Sequence, residues 1–188
     1  VTVTEARVDY GTLVIGAFNS ATAAIPSTGG VLLIPPGNYM LGATTAASKW
    51  TIERGYLTIT GSGMGVTKLM YSSQSTDHIT YGSGSGLSIG TPAAYNQLTD
   101  FQIADLTFED VSNVTAILSS DPSGIVAFYV NNFSIRRVQV INAKGNGGIT
   151  VSGSLSGGLP TEDNLWIEDC ILLGTSAGNW MEGDGINV

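Results

Sequence analysis

The chain has 188 residues, with seven Lys and Arg against fifteen Asp and Glu, and a formal charge of −8 at pH 7. At 43% hydrophobic residues it suits one domain able to bury roughly 70% of its unfolded surface, and it is not a disordered composition. The charge excludes nucleic acid as the natural partner, since phosphate binding needs clustered Lys and Arg. It also makes a polyanionic substrate awkward unless a bound cation intervenes.

Cys170 is the only cysteine, so no internal disulfide can form. No apolar run approaches the roughly 20 residues that span a membrane, so membrane insertion is not expected. Residues 1–5 show no basic segment followed by an apolar one and no initiating Met, as expected of a processed or excised product.

Residues 1–8 begin by alternating Val with Thr and suit a strand. Residues 10–24 are richer in Ala and place Val14, Phe18 and Ala21 at helical spacing, with Ile25 four residues on. This predicts a short amphipathic helix that ends before Pro26 and caps a first coil, giving an N-terminal unit over 1–30 and a repeating body over 31–188. Residues 31–34 read as a buried strand, 35–37 as a Pro-Pro-Gly turn, and 39–41 as a second strand.

This order of helix, glycines, apolar strand and Pro35-Pro36-Gly37 turn before Tyr39 resembles the start of the pectate-lyase-like right-handed β-helix superfamily. Residues 57–65, with Gly61, Gly63 and Gly65, resemble the glycine-rich step that commonly comes next in that superfamily. The family's Gly-Asp-Gly-x-x-Asp-Asp leader is missing. The superfamily includes secreted polysaccharide lyases and hydrolases and many bacteriophage tailspikes. The resemblance therefore implies an extracellular or virion setting, a polysaccharide partner, and a homotrimer or larger assembly.

Gly61, Gly63 and Gly65 match neither a dinucleotide fingerprint nor a P-loop, and residues 67–71 read as another strand. Residues 72–98 are rich in Ser, Gly and Thr and hold the only His, His78, on a predicted strand over 78–81. With one His and one inward Cys, a zinc site is not expected, and no metal ligands are assigned. Residues 83–90 read as a loop projecting from a coil.

The chain then repeats itself. Residues 100–110, 132–142 and 164–174 align without gaps at a step of 32. Phe101, Phe133 and Leu165 fall in one column, followed by Ile103, Ile135 and Ile167. After two residues come Leu106, Val138 and Cys170, then Phe108, Val140 and Leu172. Each row reads as two short strands joined by a bend. Asp100, Asn132 and Asn164 suit a left-handed corner, and Asp105, Arg137 and Asp169 suit an ion-pair ladder between strands about 4.8 Å apart. A further strand precedes the middle row at 126–130 and the last row at 149–151, and 186–188 would begin another row, giving three strands per coil. The predicted fold is all-β, a single-stranded right-handed parallel β-helix with a short N-terminal capping helix. Because the sequence stops as a strand begins, the expectation is a longer protein or a covering chain.

Candidate chemistry lies in the variable connections. Glu162 and Asp163 form one carboxylate pair, Glu182 and Asp184 another. Two carboxylates are the usual apparatus for cutting a glycosidic bond, and positions 182 and 184, if extended, lie roughly 6.6 Å apart on one side. Residues 182–188 also resemble the Asn-Thr-Asp-Gly-Ile-Asp segment of polygalacturonase-type hydrolases, which implies a catalytic role for Asp184. Glu182 and Gly183 depart from that pattern, and the family's later elements have no counterpart before Val188. A lyase-like mechanism would need Ca2+ and an arginine base, for which Arg136 and Arg137 are candidates by type. Trp50, Trp166 and Trp180 offer flat indoles for sugar stacking, and Trp166, between two inward residues, should point outward. The sequence thus predicts a protein that binds polysaccharide through Trp166, Trp180 and Asp163. Whether Glu182 and Asp184 cleave it stays open, and the alternative is a non-catalytic structural or adhesive β-helix.

Overall fold

A computed structural model of the chain describes residues 12–42, 50–71, 87–89, 98–111, 124–128, 130–143, 148–152, 164–174 and 185–187. In chain order these form β1 (Thr12–Leu13), α1 (Ile15–Ala24), β2 (Gly30–Leu33), β3 (Gly37–Gly42) and β4 (Trp50–Ile52). Then come β5 (Leu57–Thr60), β6 (Thr67–Tyr71), β7 (Leu87–Ile89), β8 (Leu98–Asp110) and β9 (Ile125–Phe128). The last are β10 (Val130–Ile141), β11 (Ile149–Ser152), β12 (Leu165–Glu168), β13 (Ile171–Leu173) and β14 (Ile186–Asn187).

Every pairing among these strands is parallel, and each joins a strand to its counterpart one coil away. Three stacks result. The first runs β2, β5, the front half of β8, the front half of β10, then β12. The second runs β1, β3, β6, the back halves of β8 and β10, then β13. The third runs β4, β7, β9, β11 and β14. The chain is a parallel β-helix of three strands per coil.

From β8 through β10 to β12 and β13 the ladder registers follow the 32-residue step. Phe101 faces Phe133, which faces Leu165, and Phe108 faces Val140, which faces Leu172. Apolar residues at these positions all point into the lumen, where Phe101, Ile103, Leu106, Phe108, Phe133, Ile135, Val138 and Val140 are buried. The Phe101 and Phe133 rings meet edge to face, with centroids 6.0 Å apart. Each such side chain contributes about 1.5–3 kcal/mol by leaving water. In the last coil Leu165, Ile167, Cys170 and Leu172 pack half-buried against the same core.

The corners explain how the coils stay in register. Gly29, Tyr56, Asp100, Asn132 and Asn164 occupy one corner in five successive coils, and all have positive φ. Asp and Asn tolerate this left-handed conformation because their side chains can bond locally. A second left-handed corner is built from Asp105, Arg137 and Asp169. Backbone hydrogen bonding continues through it, so β8 and β10 each run as one bent strand; of the three repeat rows only the last divides, into β12 and β13, as the earlier coils divide into β2 and β3 and into β5 and β6.

Helix α1 begins at Ile15, later than expected, because Thr12 and Leu13 pair with Tyr39 and Met40 as a strand first. Phe18 seats the helix on the first coil, its ring edge-to-face with Trp50 and Tyr39 at 4.7 and 5.8 Å. The helix has no basic residue in its last turn. Arg54 supplies one from the next coil, donating to the Thr22 carbonyl at 2.9 Å and to that of Ile25.

Two further expectations are corrected. Residues 31–34 are not a uniformly buried strand: Val31 and Leu33 point outward at 65% and 66% exposure, and only Ile34 is fully buried. Within the expected 83–90 loop, Leu87–Ile89 is a strand between β4 and β9, its partners distant in sequence. Residues 1–8 and 78–81 lie outside the described residues.

Candidate functional site

The outward side chains of the first stack make a continuous face. One column runs Val31, Thr58, Gln102, Ser134 and Trp166, and the next runs Leu33, Thr60, Ala104, Arg136 and Glu168. Leu165 and Ile167 point inward, so the period of the strand sends Trp166 out, where it is 53% exposed. Its nearest rungs in column are the half-buried, uncharged Ser134 and Gln102.

Ionic and amide ladders brace this face. Arg136 pairs with Glu168 across one rung. Arg137 forks onto Asp105, Nε to Oδ1 at 2.7 Å and Nη2 to Oδ2 at 2.8 Å. That fork holds the Asp105 carboxyl below the ordinary carboxylate range, and Asp105 raises Arg137 in return. Along the neighbouring corner Asn164 Nδ2 donates to Asn132 Oδ1 at 2.9 Å, and Asn132 Nδ2 to Asp100 Oδ1 at 3.2 Å. Exposed pairs contribute about 0–1 kcal/mol each, so what they chiefly fix is geometry.

The sequence-derived residues divide three ways. Trp166 stands exposed and outward as expected. Trp50 is contradicted as a sugar platform: it is fully buried, and its Nε1 donates to Thr22 Oγ1 at 3.2 Å. Asp163, Trp180, Glu182 and Asp184 lie outside the described residues. Arg136 and Arg137, candidates for a lyase base, are both held by carboxylates. Burial against the core pushes the Cys170 thiol up, away from the reactive thiolate. Sequence reasoning missed Ser134 and Gln102, although each lies a whole number of 32-residue steps before Trp166 and was legible on that ground.

Among the described residues no group of three His, Cys, Asp or Glu side chains could hold a metal ion. Another concavity, 160 Å³ in volume, lies between α1 and β2–β3. Its walls, including Phe18, Leu32, Ile34 and Tyr39, are almost wholly apolar and bring no set of polar groups together.

No protein-family model and no curated protein matches the sequence. Solved structures do. The A-module of a mannuronan C-5 epimerase from Azotobacter vinelandii superposes with a TM-score of 0.57 at 21% identity, over 76% of this chain and 38% of its own. A pectin methylesterase variant in complex with a hexasaccharide matches at a TM-score of 0.50 and 15% identity, over 88% of this chain and 53% of its own. These likenesses show the fold, a parallel β-helix. This β-helix therefore spans well under two thirds of either neighbour's length.

Proposed function

We propose that this β-helix binds polysaccharide on the outward face of its first stack. The observation that carries the reading is the half-exposed indole of Trp166, fixed on a parallel ladder in column with Ser134 and Gln102. An indole face supplies apolar area for a sugar ring, and hydroxyl and amide side chains can exchange hydrogen bonds with sugar hydroxyls. The two structural neighbours, named for acting on mannuronan and on pectin, support a polysaccharide partner by analogy of fold. Trp180 and Asp163 extend the proposed surface.

Glu182 and Asp184 are the proposed catalytic pair. One carboxylic acid protonates the leaving glycosidic oxygen while the other carboxylate activates a water that attacks the anomeric carbon. The proposed setting is extracellular or on a virion, in a homotrimer or larger assembly, which light scattering on the purified chain would test. Reducing-sugar release tests the chemistry: Glu182→Gln or Asp184→Asn should abolish turnover while binding persists. Binding without turnover in the unmodified chain would leave a lectin-like face and remove the hydrolase.

A second reading, a structural or adhesive β-helix, is favoured by the outward Ile171 and Leu173 and by Ile186, which stands in column with the buried Ile149 and Ile125; all three are 39–42% exposed. It predicts that these side chains pack on another chain. Substituting all three with Ser should then dissociate the assembly and leave glycan binding intact.

A further inference from the structure

Charge is distributed unevenly along the coils. Residues 145–188 hold six carboxylates, Glu162, Asp163, Glu168, Asp169, Glu182 and Asp184, and no Lys, Arg or His. Among the described residues the cations near Trp166 are Arg136 and Arg137 of the preceding coil, and both are engaged. Arg136 is ion-paired with Glu168, and Arg137 is forked onto Asp105, with Asp169 and Glu168 also close enough to act on it electrostatically. The other described cations are engaged as well: Lys68 meets Glu109 at 3.5 Å, and Arg54 faces the carbonyls at the end of α1.

We propose that the glycan taken by the Trp166 face is uncharged, a polysaccharide of neutral sugars without carboxylate or sulfate groups. The inference rests on reading that face as a glycan site and specifies its substrate class. A uronate carboxylate is held by a guanidinium or a metal ion. On this face it would have to displace Glu168 from Arg136 or Asp105 from Arg137, and the described residues offer no metal site. Every further carboxylate would also approach the Glu168 carboxylate, two residues along the same strand and within a screening length of about 8 Å. A neutral pyranose needs none of this. It needs a flat apolar platform and uncharged donors and acceptors, which Trp166, Ser134 and Gln102 provide.

The test titrates the whole chain calorimetrically with neutral glucan, galactan and mannan oligosaccharides and with oligogalacturonate of equal length. Each titration is run at low and at physiological salt, with EDTA and with added calcium. The expected result is binding of a neutral oligosaccharide that is indifferent to salt and EDTA and falls about tenfold in Trp166→Ala. Thermal melting confirms that this exposed-site variant folds. Oligogalacturonate should not bind the unmodified chain, and Glu168→Gln, which releases Arg136, should create uronate binding that weakens as salt rises. Oligogalacturonate binding by the unmodified chain that is lost in Trp166→Ala would overturn the neutral-glycan inference and leave the glycan face standing. Absence of binding by every oligosaccharide would overturn both.

Discussion

Arg137 and Asp105 are each held in the left-handed conformation, one rung apart, and their side chains close on one another through two parallel bonds of 2.7 and 2.8 Å. An arginine is a costly residue for such a corner, roughly 1–2 kcal/mol above its right-handed conformation. The fork and the corner should therefore separate by substitution. Arg137→Ala loses the fork and keeps the strain, whereas Arg137→Gly loses the fork and relieves the strain. Arg137→Gly should melt above Arg137→Ala, by a few degrees in thermal unfolding. The Asp105 carboxyl is lowered by the fork, so its contribution is present above the unfolded value near 3.9 and is lost as pH falls through the lower folded value. Asp105→Asn should flatten the acid limb of the stability profile below about pH 4 and lower neutral stability by the same modest amount, because it removes the contribution that acid would otherwise titrate away.

The amide ladder makes a second ordering. Asn132 donates to Asp100 and accepts from Asn164. Asn132→Gly keeps the conformation and loses both bonds, and Asn132→Ala loses both and strains the corner. Asn132→Asp sets a carboxylate against Asp100. Urea midpoints should fall in the order Asn, Gly, Ala. The Asp variant should be weakest at neutral pH and recover as the pair is protonated in acid.

Tyr71 presents the opposite case. Among the described residues its buried hydroxyl has no hydrogen-bond partner, and burial, then the neighbouring Asp110, raises its ionisation well above the ordinary phenol value. Tyr71→Phe should cost nothing or stabilise by about 1 kcal/mol in urea unfolding. Because the folded value is raised, the benefit of the neutral phenol is complete below about pH 10 and is lost as pH rises toward the folded value. Absorbance of phenolate in alkali should report Tyr71 only as the chain unfolds.

The two described tryptophans should dissociate stability from binding. Trp50 fills the core beside Phe18, so Trp50→Ala should cost about 3–5 kcal/mol. Trp50→Phe, which loses the bond to Thr22, should fold with glycan affinity unchanged. Trp166→Ala should melt normally and bind weakly. Equal loss of binding in Trp50→Phe and Trp166→Ala would remove the outward face from the site.

The coil was legible where one environment recurs. Phe101, Phe133 and Leu165 meet the same lumen, so the same kind of side chain returns at the same step, and Asp100, Asn132 and Asn164 meet the same corner. Legibility failed where the environment came from elsewhere. Tyr56 sits in the corner of that Asn column, yet its side chain carries none of the turn chemistry that would mark it. Leu87–Ile89 hides in a Ser/Gly tract because its partners, Trp50–Ile52 and residues 125–127, lie far along the chain. Trp50 looked available because its cover, Phe18 and Thr22, belongs to the helix. Trp166 was readable from alternation alone, but its rungs Gln102 and Ser134 emerge only when outward columns are followed as closely as inward ones.

Because partners along β8, β10 and β12 stand 32 residues apart with no slip, those rows act as a length standard. A genetic duplication of that many residues would insert one whole storey and return each downstream residue to a matching seat. A duplication of another size would keep those seats only where the connections between strands absorb the difference, as they do from Gly30 to Leu57 and from Leu57 to Phe101, steps of 27 and 44 residues. Lengthening is therefore permitted in whole storeys, while the outward columns remain free to diverge from one storey to the next.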